Sequence, residues 1–220
     1  MPNRPPVPFL DNDIILKLAE YDLLDQLVSL IKAKSRDMYV LDWAGRYFED
    51  KRMSLTSGMN PTHTNAGVDR AVDFANGPLR ITEGSNDEIH DALALIEDID
   101  AGETEIISAA LTWTLNPLVL TGDKRCIKAL ASEGSISDIR DRLRNHVGCL
   151  EEVVRSIIIA DGFDSVLKGV KAAPQGCDIY IWRTIEPLRL HDWECAVSRL
   201  DREICAVESA AGVGWICRLA

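Results

Sequence analysis

The sequence predicts an α/β fold, and three observations carry that expectation. Short apolar runs alternate with longer stretches patterned at helical spacing. Two of the runs, Val7–Leu10 and Pro117–Thr121, lead directly into an aspartate, at Asp11 and Asp123. A third acidic residue, Glu103, opens a helix whose apolar face it shares.

Length and composition bound the problem. A chain of 220 residues holds one well-buried domain with a substantial appendage, or two small domains. Hydrophobic residues at 46% and charged residues at 27% are ordinary for a globular chain and exclude disorder. No apolar run approaches the roughly 18 residues that a membrane-crossing helix needs. Residues 1–8 lack the apolar stretch of a signal peptide, so a cytoplasmic location without a membrane partner is expected. Six cysteines are spread widely without a C-x-x-C pair, which favours buried, reduced thiols over a zinc site. The formal net charge of −11 argues against broad, non-specific nucleic-acid binding, because a protein that grips many phosphates usually presents a basic surface.

The elements follow in order. The run ending at Leu10 reads as a short strand, with Pro8 expected near its beginning because proline cannot complete a central ladder. Ile14, Ile15 and Leu18, then Leu23, Leu24, Leu27, Val28 and Ile31, form apolar stripes of helices. Residues 38–41 read as a second strand and 43–51 as a helix with Ala44, Tyr47 and Phe48 on one face. The Ser-, Thr-, Asn-, Gly- and Pro-rich stretch 56–67 reads as a loop, and 68–75 as a short helix ended by Gly77-Pro78. Ser85 or Asn86 caps a helix carrying Ile89, Ala92, Leu93 and Ile96. The helix opening at Gly102 places Glu103 with Ile106, Ile107 and Ala110 on one face, while Glu105 points away. A carboxylate on an apolar face is costly unless paired or metal-bound, and this separates Glu103 from the eight other acidic residues between positions 83 and 105. Residues 117–121 form a clear strand, and 124–131 a helix. Beyond about residue 135 the pattern changes: 136–143, 150–159 and 193–206 read as helices, 178–182 as an alternating strand and 213–219 as a last strand. Trp182, Trp193 and Trp215 are expected to form a small core or contact surface there. His63, His90, His146 and His191 fit no pattern.

Asp11 and Asp123 therefore stand past the ends of two strands, at the sheet edge where open α/β folds bind ligands, and Glu103 is brought toward them. Each aspartate alone is readily explained as a helix N-cap. Together with Glu103 they form a set of hard oxygen donors suited to Mg²⁺ or Mn²⁺. Such a cation would lower the pKa of water and stabilise charge on a phosphodiester.

The motifs Phe9-Leu10-Asp11-Asn12-Asp13-Ile14-Ile15-Leu16, Gly102-Glu103-Thr104-Glu105-Ile106-Ile107-Ser108-Ala109-Ala110 and Leu118-Val119-Leu120-Thr121-Gly122-Asp123-Lys124-Arg125 resemble, in order and spacing, those of the PIN-domain nuclease family. The resemblance covers roughly residues 7 to 135. It implies a three-layer α/β/α fold with a parallel central sheet and metal-dependent cleavage of RNA, free-standing or within a toxin–antitoxin or RNA-processing system. It divides the chain into a PIN-like metal-binding domain (1–135) and a mostly helical C-terminal extension (136–220) packed on it. Asp11, Glu103 and Asp123 are the implied catalytic metal ligands. A further acidic ligand normally comes from a helix between the first two motifs; Glu49 is the choice and Asp42 the rival. Asp13, Asn12 and Thr121 are candidates to support the ligands, and Lys124 and Arg125 to contact phosphate, with Lys128, Arg140, Arg142 and Arg144 extending the positive charge. RNA is the expected partner, through local contacts; a cognate protein or a homodimer is compatible with the same reading. The alternatives are a degenerate PIN-like scaffold without catalysis, and a DNA-structure nuclease or phosphoesterase using the same carboxylates.

Overall fold

The computed structural model describes residues 5–32, 38–56, 62–81, 86–114, 116–212 and 214–220. In chain order the elements are β1 (Val7–Leu10), α1 (Asn12–Glu20), α2 (Leu24–Lys32), β2 (Tyr39–Leu41), α3 (Ala44–Thr56), α4 (Asn65–Ala75), β3 (Leu79–Ile81), α5 (Asp87–Ala94) and α6 (Ala101–Trp113). They continue as β4 (Pro117–Thr121), α7 (Lys124–Ser132), α8 (Ser137–Leu143), β5 (Val147–Cys149), α9 (Leu150–Asp161), α10 (Phe163–Ala172), α11 (Ile179–Ile185) and α12 (Trp193–Ala211).

The strands form one five-stranded sheet in the order β3-β2-β1-β4-β5, and every pairing is parallel. Right-handed crossovers place α1 to α4 on one face and α5 to α8 on the other, giving the three-layer α/β/α architecture. α9 lies beside α2, and α12 packs against both α7 and α9, so the last helix closes over the β5 side of the sheet. β4 is buried along its whole length, as its unbroken apolar run requires. Pro8 is accommodated by register. The Val7 and Asp11 amides both point to β4, so the missing Pro8 donor faces β2, whose pairing begins only at Phe9. Phe9 stacks on Tyr39 at 5.1 Å, fixing β1 against β2.

The sheet departs from the expected pattern in three places. β3, only Leu79–Ile81, is too short to show a period and follows directly on the Gly77-Pro78 stop. β5 lies beyond residue 135, so the sheet itself runs past the boundary expected between domain and extension. The expected final strand at 213–219 is instead a single parallel bridge between Ile216 and Val147, with Cys217 N–H donating to Val147 O at 2.8 Å; Val213 lies outside the described residues. This tail covers the outer edge of β5 and so blunts an edge that would otherwise be open to pairing.

The alternating stretch 178–182 is a helix, not a strand. Asp178 caps α11, accepting the Tyr180 and Ile181 amides at 3.0 Å each, and Ile181, Thr184 and Ile185 then form its buried stripe. Alternation over five residues is also compatible with a helix face, and the cap decides. Asn86 caps α5; Ser85 and residues 57–61 of the expected 56–67 loop lie outside the described residues, and α4 begins at Asn65, inside that stretch, because Thr64 caps it. Of the cysteines, Cys126, Cys149 and Cys177 are buried as expected, whereas Cys195 and Cys205 are exposed. Trp215 is buried, but Trp193 is 48% exposed. No described helix is long and apolar enough to cross a membrane.

Residues 136–220 are joined to the rest by buried polar contacts as well as apolar packing. Fully buried Glu151 pairs with Lys124 of α7, and Asp178 pairs with Lys17 of α1 at 3.1 Å; within the segment, fully buried Glu152 accepts from Ser156 Oγ and Leu219 N–H at 2.8 Å and pairs with Arg218 at 3.2 Å. Gly169 of α10 lies directly on the backbone of Tyr21: a Cβ there would collide with the Tyr21 carbonyl, whose carbon is 2.8 Å from that position. Gly169→Ala is therefore expected to destabilise the chain by about 3 kcal/mol, the upper end for overpacking, because backbone cannot move aside as a side-chain tip can. Gly45→Ala, with nothing within 4 Å of the new methyl, is expected to be neutral or slightly stabilising. Urea unfolding of both variants checks the contrast.

Candidate functional site

Strand order reverses between β1 and β4, and the crevice at their C-terminal ends is the topological switch point where open α/β sheets take ligands. A cleft of about 640 Å³ opens there. Its acidic wall is Asp11, Asp13, Asp100, Glu103 and Asp123; Asn12, Lys17 and Arg125 line it as well, and Trp43 and Tyr47 close one side.

Asp11 leaves β1 with its amide bonded to Leu120 O on β4, and its Oδ2 accepts from Thr121 Oγ1 at 3.2 Å. Thr121 Oγ1 in turn accepts the Asp123 amide at 3.0 Å, so one hydroxyl ties both strand-end aspartates together. Glu103 is 4% exposed and forms a capping box with Asp100: Asp100 Oδ1 accepts the Glu103 amide at 2.8 Å, and Glu103 Oε2 accepts the Asp100 amide at 3.0 Å. Glu105 turns outward and accepts from Trp43 Nε1 at 3.1 Å.

The electrostatics are lopsided. Burial, with repulsion from Asp13 and Asp100, pushes Asp11 up to about 7. Burial, with Asp100, Asp11 and Asp123 around it, pushes Glu103 up to about 8 despite its backbone hydrogen bond. Burial also pushes Asp123 up, but hydrogen bonds from Arg125 outweigh it and hold the carboxyl below its ordinary value. Arg125 Nη2 sits 2.7 Å from Asp123 Oδ2, and the Arg125 amide 2.7 Å from Oδ1. Lys17 resists its own desolvation because Asp13 (2.7 Å) and Asp178 (3.1 Å) flank it and keep it charged; it also donates to Gly122 O at 3.2 Å. Asn12 is buried at the cleft, and neither its amide oxygen nor its amide nitrogen has a hydrogen-bond partner.

Asp11, Asn12, Asp13, Glu103, Asp123 and Arg125 thus meet in one cleft, with Thr121 behind them. Lys124 does not join them; it pairs with buried Glu151 and lies 4.0 Å from the centre of the Tyr180 ring. Glu49 and Asp42 are exposed and do not line the cleft. On α3 it is Tyr47, two residues before Glu49 and on the opposite side of the helix, that faces it. The acidic residue missing from the sequence-based set is Asp100, whose signal was the Asp-x-x-Glu capping box. Lys17 was legible as the i+4 partner of Asp13. Trp43 and Asp178 reach the site through tertiary packing and left no sequence signal. As the side chains stand, no group of three or more His, Cys, Asp or Glu among the described residues is drawn close enough to hold a metal ion. Compared with models of known protein families, with curated proteins and with solved structures, the chain has no significant match.

The raised Asp11 has a consequence for stability. Its carboxyl holds a proton more tightly in the folded chain (about 7) than in the unfolded one (near 3.8), so folding is weakened as pH rises from about 4 through 7. Asp11→Asn keeps an acceptor for Thr121 without the charge. The variant is expected to melt above the wild type at pH 8, by on the order of 2–4 °C, equivalent to about 1 kcal/mol for a chain of this size. The difference should shrink toward pH 5. Thermal melts in EDTA across this range measure it, and an equal or lower melting temperature at pH 8 would contradict the electrostatic account.

Proposed function

We propose that this chain is a PIN-like nuclease that hydrolyses RNA phosphodiester bonds with Mg²⁺ or Mn²⁺. The observation that carries this reading is the crowding of five carboxyl groups at the switch point against only Lys17 and Arg125. Asp11 and Glu103 are driven to about 7 and 8 by burial and by their acidic neighbours. A divalent cation relieves that repulsion directly. The donors are all oxygens, which suits a hard cation, and each carboxylate has lone pairs beyond those its hydrogen bonds use. Asp11, Asp100 and Glu103 are the residues that would hold it, with Asp100 in the role expected of Glu49. Asp123 would join by exchanging its contact with Arg125.

When bound, the cation supplies charge neutralisation for the phosphodiester and a lowered pKa for water. The chain's own groups do the rest. Lys17 and Arg125 line the cleft beside the carboxylates and would present positive charge to phosphate oxygens. Asn12, buried without a partner, offers an amide donor and an acceptor at the floor of the cleft. Trp43, 40% exposed and set edge-on to Tyr47, gives a base a ring to stack against.

A second reading, a PIN-like binding module without catalysis, draws on two observations. The Asp123 carboxylate is already paired with Arg125, and the carboxylates are not gathered as they stand. One assay separates the two. Wild type is expected to cleave single-stranded RNA in Mn²⁺, with Asp11→Asn and Glu103→Gln each at least about 100-fold slower. Mn²⁺ should also raise the melting temperature of the wild type more at pH 8 than at pH 6, because protons compete for the same oxygens. Neither cleavage nor a thermal shift would move the binding module ahead. Cleavage of DNA flaps but not RNA would assign the carboxylates to a DNA-structure nuclease.

A further inference from the structure

A second groove, of about 490 Å³, lies between α11 and α12 and is lined by Tyr180, Arg183 and Thr184 from the first helix and Arg199, Arg202 and Glu203 from the second. Tyr180 and Arg183 are one turn apart on α11, and Arg199 and Arg202 one turn apart on α12, so two short side-chain rows face each other across it. Three guanidinium groups and one carboxylate give the lining a positive balance on a chain whose net charge is −11. None of the three arginines forms an ion pair with a described carboxylate; Arg199 donates to Thr184 O at 3.2 Å, and Arg183 and Arg202 are exposed. Tyr180 is 52% exposed, an unusual setting for a large ring without a role at the surface.

The groove is linked to the acidic cleft by two contacts. Asp178, the cap of α11, holds Lys17 inside the cleft. Tyr180, two residues on, carries the ammonium of Lys124 against its ring, and Lys124 is the residue after Asp123. Lys124 is paired with buried Glu151, so the positive charge the groove offers is that of Arg183, Arg199 and Arg202 beside the Tyr180 ring. Arginines beside an exposed aromatic are the chemistry that follows a single-stranded nucleic-acid backbone and stacks a base without reading its sequence.

We propose that the α11/α12 groove is the binding track for the single-stranded RNA on which the cleft acts, so that the C-terminal extension supplies substrate affinity and the acidic cleft supplies cleavage. The proposal rests on the nuclease reading above for the identity of the polymer. A small anion would need the arginines alone. The exposed ring, and its place on α11 two residues from the Asp178 that holds Lys17 in the cleft, favour a chain that reaches both.

The test is binding of a fluorescein-labelled 12-nucleotide single-stranded RNA, followed by anisotropy in the Asp11→Asn background to prevent cleavage. The double change Arg183→Ala with Arg202→Ala is expected to weaken binding at least tenfold. It should also flatten the dependence of log K on log salt by about 1.4, two phosphate contacts at about 0.7 each for a single strand. Tyr180→Ala is expected to weaken binding about tenfold and Tyr180→Phe to restore it. In the wild-type background, Mn²⁺-dependent cleavage of a dinucleotide, confined to the cleft, should be unaffected by the arginine changes, whereas cleavage of the 12-mer falls. Unchanged affinity and salt slope, with Mn²⁺-dependent cleavage intact, would overturn the track and leave the nuclease reading standing. Arginine-dependent RNA binding without any metal-dependent cleavage would do the reverse. Inhibition of 12-mer binding by low-millimolar inorganic phosphate, with no gain in affinity beyond a tetranucleotide, would reduce the groove to a small-anion site and also overturn the track.

Discussion

Electrostatic repulsion at one edge of the sheet is the constraint around which the molecule is arranged. A parallel sheet delivers every strand end to the same side, and the reversal of order between β1 and β4 opens a crevice between two of them. Both strands end in aspartate, and α6 swings Asp100 and Glu103 over the gap. Nothing in ordinary packing rewards this. Burial disfavours ionisation of Asp11 and Glu103, and the neighbours compound it. The apo fold accepts the cost because its own devices bring it down: the Thr121 hydroxyl between Asp11 and the Asp123 amide, the Asp100–Glu103 capping box, and the Arg125 pair on Asp123. The first two satisfy hydrogen bonds without adding positive charge and the third offsets one carboxylate, so Lys17 and Arg125 still face five acidic groups in the cleft.

Lys17 shows how far the arrangement extends. Its ammonium is held between Asp13 on its own helix and Asp178 from the extension, and it reaches the Gly122 carbonyl between the β4 end and Asp123. A side chain at Gly122 would run into the Asp13 carboxylate, so the glycine is what allows the pair to sit against the backbone. Through this one lysine the first helix, the β4 turn and α11 share a polar contact. The extension thereby reaches the site, and its removal would leave Lys17 with a single carboxylate and, by taking β5 away, would uncover the β4 edge of the sheet.

Legibility in the sequence followed range. Strand-end aspartates and the buried face of Glu103 depend on local period and burial, and they were readable; so was the α/β class, because short apolar runs and helical stripes alternate. Asp100 was not separated from the other acidic residues between positions 83 and 105, although it caps α6 and lines the cleft. Glu49 failed for a geometric reason: α3 presents Tyr47 to the cleft, and two residues along a helix is just over a half-turn away. β3 and β5, at three residues each, carry no period of their own and exist only because β2 and β4 offer ladders to pair with. The stretch 178–182 alternated like a strand, but a cap aspartate ahead of it and a buried i, i+3, i+4 stripe make the helix the lower-energy solution.

The acidity of the chain, first a reason to doubt contact with nucleic acid, takes on a different sense once the charges are placed. A net charge of −11 repels a polyanion at distances beyond the Debye length of about 8 Å only weakly at physiological salt. Inside that range the local sign decides, and the local sign changes over a short path: negative at the carboxylates, positive at Lys17 and Arg125 beside them, and positive again along α11 and α12. Long-range steering is absent in such a molecule, so encounter is slow and most of the sequence-independent affinity that a basic surface would supply is missing. What remains is a small number of short-range contacts that only a correctly seated strand can make together. On the proposed reading, an acidic exterior with a narrow basic track would select against non-specific phosphate contact and tie retention of a strand to its placement over the carboxylates.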